Sequence, residues 1–116
     1  MQVRHDPAAD TAAIMEADKQ FDLDTAAKGI DGWLPWFEEN VATWTRAGLV
    51  HGRDHYKDNV GKLLAGGNQL RWVPVYGEVT GDLGFTTGTW KILGKDAQGQ
   101  EQKFGSGKYF TVWRRQ

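Results

Sequence analysis

Three carboxylates on one predicted helix are spaced so that they could take part in acid–base chemistry. Asp18, Asp22 and Asp24 fall in the segment 6–29, and the first two are one helical turn apart on the same side. Two facing carboxylates can share a proton and so act as an acid and a base. Charged side chains normally lie outside, so we favour a solvent-exposed helix face for these residues. Asp22 nevertheless stays a candidate catalytic residue.

Other catalytic patterns are weak or absent. His51 and His55 in "HGRDH" have a spacing that would let both bind a metal ion if they lay on one helix. Gly52, however, separates a strand end from a helix start, and no third ligand is evident. The stretch "GSGKYF" lacks the upstream glycine of a phosphate loop and has Tyr109 where Ser or Thr would bind magnesium. The sequence has no Cys and no Gly-x-Ser-x-Gly elbow. We therefore expect no metal site, no cofactor and no hydrolase triad.

The composition fits one globular domain. A chain of 116 residues has room for a single core, so we take 1–116 as one domain. The formal net charge of -1 gives no field that would attract nucleic acid or an anionic membrane. No apolar run approaches the length of a membrane span and no signal-peptide pattern is evident, so a cytoplasmic location is expected. The 6 Trp residues predict an aromatic core or an aromatic-lined cavity.

The order of elements along the chain is typical of an α+β fold. Caps, apolar periodicity and glycine stops predict three helices before the long strands begin. Alternating apolar residues and turn residues predict a short strand pair ahead of the third helix and three long strands after it. This order indicates helices packed on one face of a curved antiparallel sheet. The predicted helices are 6–29, 31–40 and 52–67, and the predicted strands are 41–45, 48–52, 69–82, 83–93 and 101–115.

Four phrases resemble a known superfamily. "GIDGWLPWFEENVATWT", "GRDHYKDNVGKLL", "GDLGFTTGTWKI" and "GKYFTVWRR" are similar to the SnoaL-like, or nuclear transport factor 2-like, superfamily over nearly the whole chain. That group includes ketosteroid isomerases, polyketide cyclases and limonene-epoxide hydrolase, and the similarity is greatest to an uncharacterised SnoaL-like branch. It implies a cone, in which a strongly bent antiparallel sheet wraps a long N-terminal helix and two shorter helices around a deep pocket.

The resemblance also implies which side chains face the pocket. Alternation puts Thr87 and Trp90 on opposite faces of one strand, and the family register makes the Thr87 face concave and places Trp90 on the outer, dimerising face. Gly84 and Gly88 are expected to let this strand bend. The expected ligand-binding residues are Phe21, Trp33, Phe37, Tyr56, Trp72, Tyr76, Thr87, Tyr109 and Trp113.

Two residues on the implied pocket wall could act in catalysis. Glu78 beside aromatic side chains could be a general acid or base, although we favour a solvent-exposed strand end. The Tyr109 hydroxyl could donate a hydrogen bond to a ligand oxygen, and a hydroxyl satisfied within the core is an equal alternative.

The steroid-isomerase mechanism of this superfamily is not supported. It needs a carboxylate base, a helix tyrosine and a protonated acid. Carried over by position, these fall near Thr45, near Phe21 or Asp22, and near Tyr109, which remains only as a donor. The epoxide-hydrolase arrangement of two carboxylates around an arginine is also weak, because the sequence gives no clear position inside the cone to Arg46, Arg53 or Arg71.

The resemblance departs at the C-terminal end of the sequence. In the family another strand follows the "VWRR" strand, whereas this sequence ends at Gln116. A sheet without that strand has open edges with unpaired backbone groups. A shortened chain, a partner chain in the gap, and strands that close up and shrink the pocket are the three interpretations. We expect a homodimer, with strand exchange as one form of it.

The expected function is binding of a hydrophobic small molecule in an aromatic-lined pocket. One hypothesis adds cofactor-free isomerase, cyclase or hydrolase chemistry, carried by Glu78, Tyr109 or a helix Asp. A second hypothesis is a ligand-binding module without chemistry, and a third is a dimerisation module that uses Trp90. Neither nucleic acid nor membrane is expected as a partner.

Overall fold

The computed structural model describes residues 7–115 and has the predicted order of elements. The long N-terminal helix, the two shorter helices and the two groups of antiparallel strands are confirmed. The second helix is shorter than the predicted 31–40, since it ends at Trp33 and only a 3-10 turn to Trp36 follows; the predicted start of the first helix at residue 6 lies outside the described residues. The elements are α1 Pro7–Lys28, α2 Ile30–Trp33, a 3-10 turn Leu34–Trp36, β1 Ala42–Thr45, β2 Gly48–His51, α3 Asp54–Ala65, β3 Gln69–Thr80, β4 Leu83–Lys95 and β5 Glu101–Arg114.

The three long strands form one antiparallel sheet with β4 in the middle. Strands β1 and β2 form a separate hairpin that is joined to neither edge of this sheet. Across the sheet Trp90 of β4 lies opposite Trp72 of β3 and Gly107 of β5, so these positions share a face. The register of β3 shifts between Pro74 and Tyr76, where a β-bulge inserts one residue.

Helix α1 lies against the inner face of the sheet, mainly against β3. Phe21 of α1 and Trp72 of β3 are the buried apolar side chains of this contact, and their ring centroids are 4.7 Å apart in an edge-to-face arrangement. The rings of Trp33, Trp36 and Phe37 also contact Phe21. The predicted aromatic core therefore forms where the helices meet the sheet.

Two glycines allow close turns and close approach of the chain. Gly29 has a φ of 61°, which lets the chain turn sharply from α1 into α2. Gly88 is buried beside the bulge of β3, and a Cβ atom there would lie 2.0 Å from the carbonyl oxygen of Val73. The expectation that Gly88 permits the sheet to bend is consistent with this approach of β4 to β3.

Candidate functional site

An apolar cavity of about 310 Å³ lies between the helices and the inner face of the sheet. Its walls come from α1, α2, α3 and all three long strands. Aromatic rings and aliphatic side chains make up most of its surface. The lining residues are Phe21, Trp33, Leu63, Leu70, Trp72, Trp90, Ile92, Tyr109 and Thr111.

A buried carboxylate lies behind the aromatic wall of this cavity. Asp18 has an exposed fraction of 0% and accepts one hydrogen bond on each oxygen. Trp72 Nε1 donates to Oδ1 over 2.8 Å, and the Tyr109 hydroxyl donates to Oδ2 over 2.7 Å. The solvent-exposed helix face that we favoured for Asp18 is therefore wrong, because two donors from the sheet compensate its removal from water.

Asp22 is buried as well, and it ties α1 to the start of β3. Its carboxylate accepts hydrogen bonds from Arg71 Nε at 2.9 Å, from an Arg71 terminal nitrogen at 2.8 Å and from the Trp72 backbone N–H at 3.1 Å. The hydrogen bonds to Asp22 raise the pKa of Arg71. Asp24 is half-buried and accepts a hydrogen bond from Trp36 Nε1. The hydrogen bonds from Arg71 and Trp72 hold α1 against the start of β3, and an exposed helix face is wrong for Asp22 too.

Tyr109 lines the cavity but its proton is directed away from a ligand. The pKa of Tyr109 is raised well above its usual value, first by burial and second by the hydrogen bond to Asp18. The phenol therefore stays neutral. Its hydroxyl donates to Asp18, which corrects the expectation that it donates to a ligand oxygen.

The predicted faces of β4 are wrong by one residue. Trp90 lines the cavity, whereas we expected it on the outer face. Thr86 is fully buried and accepts a hydrogen bond from Trp113 Nε1 at 2.9 Å, so its neighbour Thr87 lies on the outer face. Thr87 donates there to the Tyr109 carbonyl over 2.6 Å. The glycines of this strand gave no indication of which face is concave.

Tyr76 and Glu78 also lie on the outer face, in contrast to their predicted position. The bulge after Pro74 shifts the alternation, so Trp72 faces inward while Tyr76 faces outward. Tyr76 is half exposed, and its hydroxyl donates a hydrogen bond to exposed Glu78. Glu78 therefore has no access to the cavity, and the solvent-exposed interpretation describes its position.

The other predicted ligand-binding residues divide into two groups. Phe21, Trp33, Trp72 and Tyr109 line the cavity, and their role in binding stays a prediction. Phe37, Tyr56 and Trp113 support the wall from behind: the Phe37 and Tyr56 rings are 4.6 Å apart, and Trp113 bonds to Thr86. Sequence reasoning missed five lining residues, although alternation with Trp72 and Tyr109 could have identified two of them, Leu70 and Thr111. The missed residues are Leu63, Leu70, Trp90, Ile92 and Thr111.

Two further findings concern metal ions and membranes. His51 ends β2 and His55 lies in α3, so the two imidazoles belong to different elements, as the sequence indicated. Within residues 7–115, no three His, Cys, Asp or Glu side chains are grouped so that they could hold a metal ion. None of the helices in that range has the length and apolar character needed to cross a membrane.

The combination of a long helix, an antiparallel sheet and an apolar cavity between them defines the class of fold. The chain has the cone-shaped α+β fold of the nuclear transport factor 2-like superfamily, which confirms the resemblance inferred from sequence at the level of fold. No family model matches the chain, and no curated protein matches it.

The chain is similar in fold to several solved structures. A Mycobacterium tuberculosis protein of unknown function matches with a TM-score of 0.69 and 20% identity, over 90% of this chain and 66% of that one. A Nostoc punctiforme protein of unknown function with a cystatin-like fold matches with a TM-score of 0.68 and 15% identity, over 98% and 84%. The beta subunit of a putative aromatic-ring-hydroxylating dioxygenase from Novosphingobium aromaticivorans matches with a TM-score of 0.60 and 15% identity, over 90% and 78%. This chain thus spans slightly less than two thirds of the first of these proteins.

Proposed function

We propose that the protein binds an apolar small molecule in the cavity between α1 and the sheet. The observation that carries this proposal is the cavity of about 310 Å³, whose lining is largely aromatic and aliphatic. Ligand sites are typically concave and apolar with few polar groups, and volumes of about 300 Å³ are at the lower end of their range. A ligand of one or two fused rings matches this size and surface.

Binding without chemistry is favoured over catalysis by the polar groups around the cavity. A general base must reach the ligand within hydrogen-bonding distance. None of the residues that line this cavity has a carboxylate or an imidazole. The carboxylate next to the wall, Asp18, is fully buried and both of its oxygens already accept hydrogen bonds. We therefore rank the ligand-binding module above the isomerase, cyclase or hydrolase hypothesis.

A matched pair of substitutions tests the proposal with tetralin, a bicyclic hydrocarbon, as the probe. Thr111→Phe places a ring in the cavity, whereas Thr80→Phe makes the same change at an exposed position at the end of β3. We expect saturable binding of tetralin in ligand-observed NMR, weakened about tenfold or more by Thr111→Phe because the added ring occupies the space, and unchanged by Thr80→Phe. Absence of binding, or equal binding by the two variants, would overturn the proposal.

We also propose that a second copy of the chain covers the outer face of the sheet. This face exposes apolar side chains that include Val73, Val75, Phe110 and Val112, which are 60%, 69%, 64% and 66% exposed. Contiguous apolar surface of this kind marks interaction sites. Trp90, which we expected to form this surface, lies inside the cone instead.

The charges around the apolar surface support a second copy as its occupant. In the sheet register, Glu78 lies in the row of Val112 at one end, and Lys108 lies in the row of Val73 at the other end. Glu78 on β3 and Lys108 on β5 are diagonal corners of this face. A two-fold axis in the plane of the interface, perpendicular to the line from Glu78 to Lys108, brings Glu78 of each copy towards Lys108 of the other, with the strands of the two copies crossing. Such a self-complementary surface is characteristic of a symmetric homodimer.

A further inference from the structure

The polar atoms in the cavity wall differ in whether they can still donate to, or accept a hydrogen bond from, a ligand. The indole N–H of Trp72 donates to Asp18, and that of Trp90 donates to the Lys108 carbonyl over 3.2 Å. The hydroxyl proton of Tyr109 is also held by Asp18. An indole nitrogen has a single hydrogen and no acceptor capacity, so both of these indoles are fully used.

The third indole of the wall offers nothing to a ligand in this conformation. Trp33 Nε1 is buried and has no hydrogen-bond partner among the described residues. It is buried beneath the surface of the wall, so a ligand in the cavity does not reach it. Thr111 keeps a hydroxyl that can both donate and accept, and it therefore does not discriminate between a ligand that donates a hydrogen bond and a ligand that accepts one.

The hydrogen bond between Tyr109 and Asp18 leaves the phenolic oxygen without a donor. Trp72 Nε1 can only donate, and it donates to one oxygen of Asp18. The Tyr109 hydroxyl donates to the other oxygen, so its proton points to Asp18 rather than into the cavity. The lone pairs of the phenolic oxygen remain for another partner, and donation to a carboxylate polarises that oxygen into a better acceptor.

We propose that the cavity selects ligands that bring a hydrogen-bond donor, namely an alcohol, a phenol or an N–H group, to the oxygen of Tyr109. A ligand of the same size that has only a carbonyl oxygen meets a wall with no donor except Thr111. This inference rests on the proposed function, because it specifies the ligand class of the same cavity. It distinguishes the site from one in which a tyrosine donates to a carbonyl oxygen.

The direct test compares α-tetralol with α-tetralone, which share a skeleton and differ in whether the oxygen carries a proton. A hydrogen bond contributes a modest net free energy, so we expect α-tetralol to bind about fivefold to tenfold more tightly in isothermal titration calorimetry. Equal affinities, or tighter binding of the ketone, would overturn the inference while tetralin binding leaves the proposed function in place. Failure of all three compounds to bind would overturn both.

Asp18→Asn separates this arrangement from a merely structural role of Asp18. The amide oxygen must accept from Trp72, so the amide NH₂ turns to Tyr109 and donates to its oxygen. The Tyr109 proton is then free to point into the cavity, and the preference should reverse in favour of α-tetralone. A folded Asp18→Asn protein that still prefers the alcohol contradicts the inference.

Thr111→Val provides the matched control. It removes the other hydroxyl of the wall and leaves Tyr109, Trp72 and Asp18 in place. The preference for α-tetralol should persist in this variant. If the preference disappears, Thr111 rather than Tyr109 recognises the donor and the assignment is wrong. Because wild type and Thr111→Val both retain the buried network, the test remains decisive even where Asp18→Asn fails to fold.

Discussion

A buried carboxylate is costly unless its partners replace water, and Asp18 has two such partners. Trp72 on β3 and Tyr109 on β5 reach it from the two outer strands of the sheet. One side chain of α1 therefore connects the helix to both edges of the sheet. A polar network of this kind stabilises the fold when it is complete and costs free energy when one member is lost.

Replacing Trp72 and Trp33 by phenylalanine should distinguish an indole N–H that donates a hydrogen bond from one that has no partner. Trp72→Phe leaves an oxygen of Asp18 without its donor, and we expect it to lower the free energy of unfolding by about 3 kcal/mol. Trp33→Phe loses ring contacts but also removes a buried N–H group without a partner, so a loss of about 1 kcal/mol is expected. Urea unfolding followed by circular dichroism measures both values. Equal losses would show that the hydrogen bond to Asp18 contributes nothing.

The pH dependence of stability should report on Tyr109. Burial and the hydrogen bond to Asp18 raise the pKa of Tyr109 in the folded state. Its contribution to stability is therefore fully present below about pH 10, where an unfolded tyrosine ionises, and is lost as the pH rises from there towards the folded-state pKa. We expect the free energy of unfolding of Tyr109→Phe to fall less steeply above this pH than that of wild type.

Ultraviolet difference spectra give an independent measurement of the same group. The chain has 3 Tyr residues, and the tyrosinate absorbance reports how many of them have ionised. Tyr109 should ionise only when the protein unfolds, in step with the loss of the circular dichroism signal. Complete ionisation of all tyrosines in the folded protein would contradict the raised pKa of Tyr109.

At the scale of the elements, the β-bulge of β3 determines which side chains reach the cavity. Strict alternation places Trp72, Tyr76 and Glu78 on one face, whereas the register shift after Pro74 moves the last two to the outer face. Proline has no backbone N–H group to donate and is found at bulges and edges of sheets. Pro74 was therefore the available indication that the alternation breaks at this point of the strand.

Alanine substitution of two glycines should have opposite effects on stability. A Cβ atom at Gly88 would lie 2.0 Å from the Val73 carbonyl oxygen, so Gly88→Ala forces the two strands apart and should cost about 2 kcal/mol or more. Gly61 lies in α3, where the nearest atom to an added Cβ is 3.8 Å away. Gly61→Ala should therefore stabilise the protein by about 1 kcal/mol through helix propensity. Thermal unfolding of both variants measures the difference, and a neutral Gly88→Ala would refute the close approach of the strands.

At the scale of the whole molecule, the order of elements could be predicted from the sequence but the faces of the strands could not. Glycine stops, turn residues and apolar periodicity are local features, and they located the helices and the long strands. The concave face depends on sheet curvature and on where a bulge falls, which long-range contacts determine. For the same reason, Asp18 and Asp22 looked like exposed helix residues, since their donors are 49 to 91 residues away in the sequence.

The chain is elongated, and its own helices leave the outer face of the sheet uncovered. The extents of 63 × 28 × 24 Å and the radius of gyration of 15.9 Å describe an elongated molecule. A compact chain of this length has a radius of gyration of about 13 Å. The helices cover only the inner face of the sheet, so the apolar side chains of the outer face stay in contact with solvent.

The proposed homodimer predicts a specific response to a charge placed on this outer face. Val112→Glu puts a second carboxylate in the row of Glu78 within the proposed interface, where like charge and burial are costly, and the protein should become a monomer in sedimentation equilibrium. Leu49→Glu is the matched control, because Leu49 is an exposed apolar residue of the separate β1–β2 hairpin, and this variant should remain a dimer. Circular dichroism spectra identical to that of wild type establish that both variants are folded. A monomeric wild-type protein, or a dimer that Val112→Glu leaves intact, would rule out the outer face as the contact between two copies.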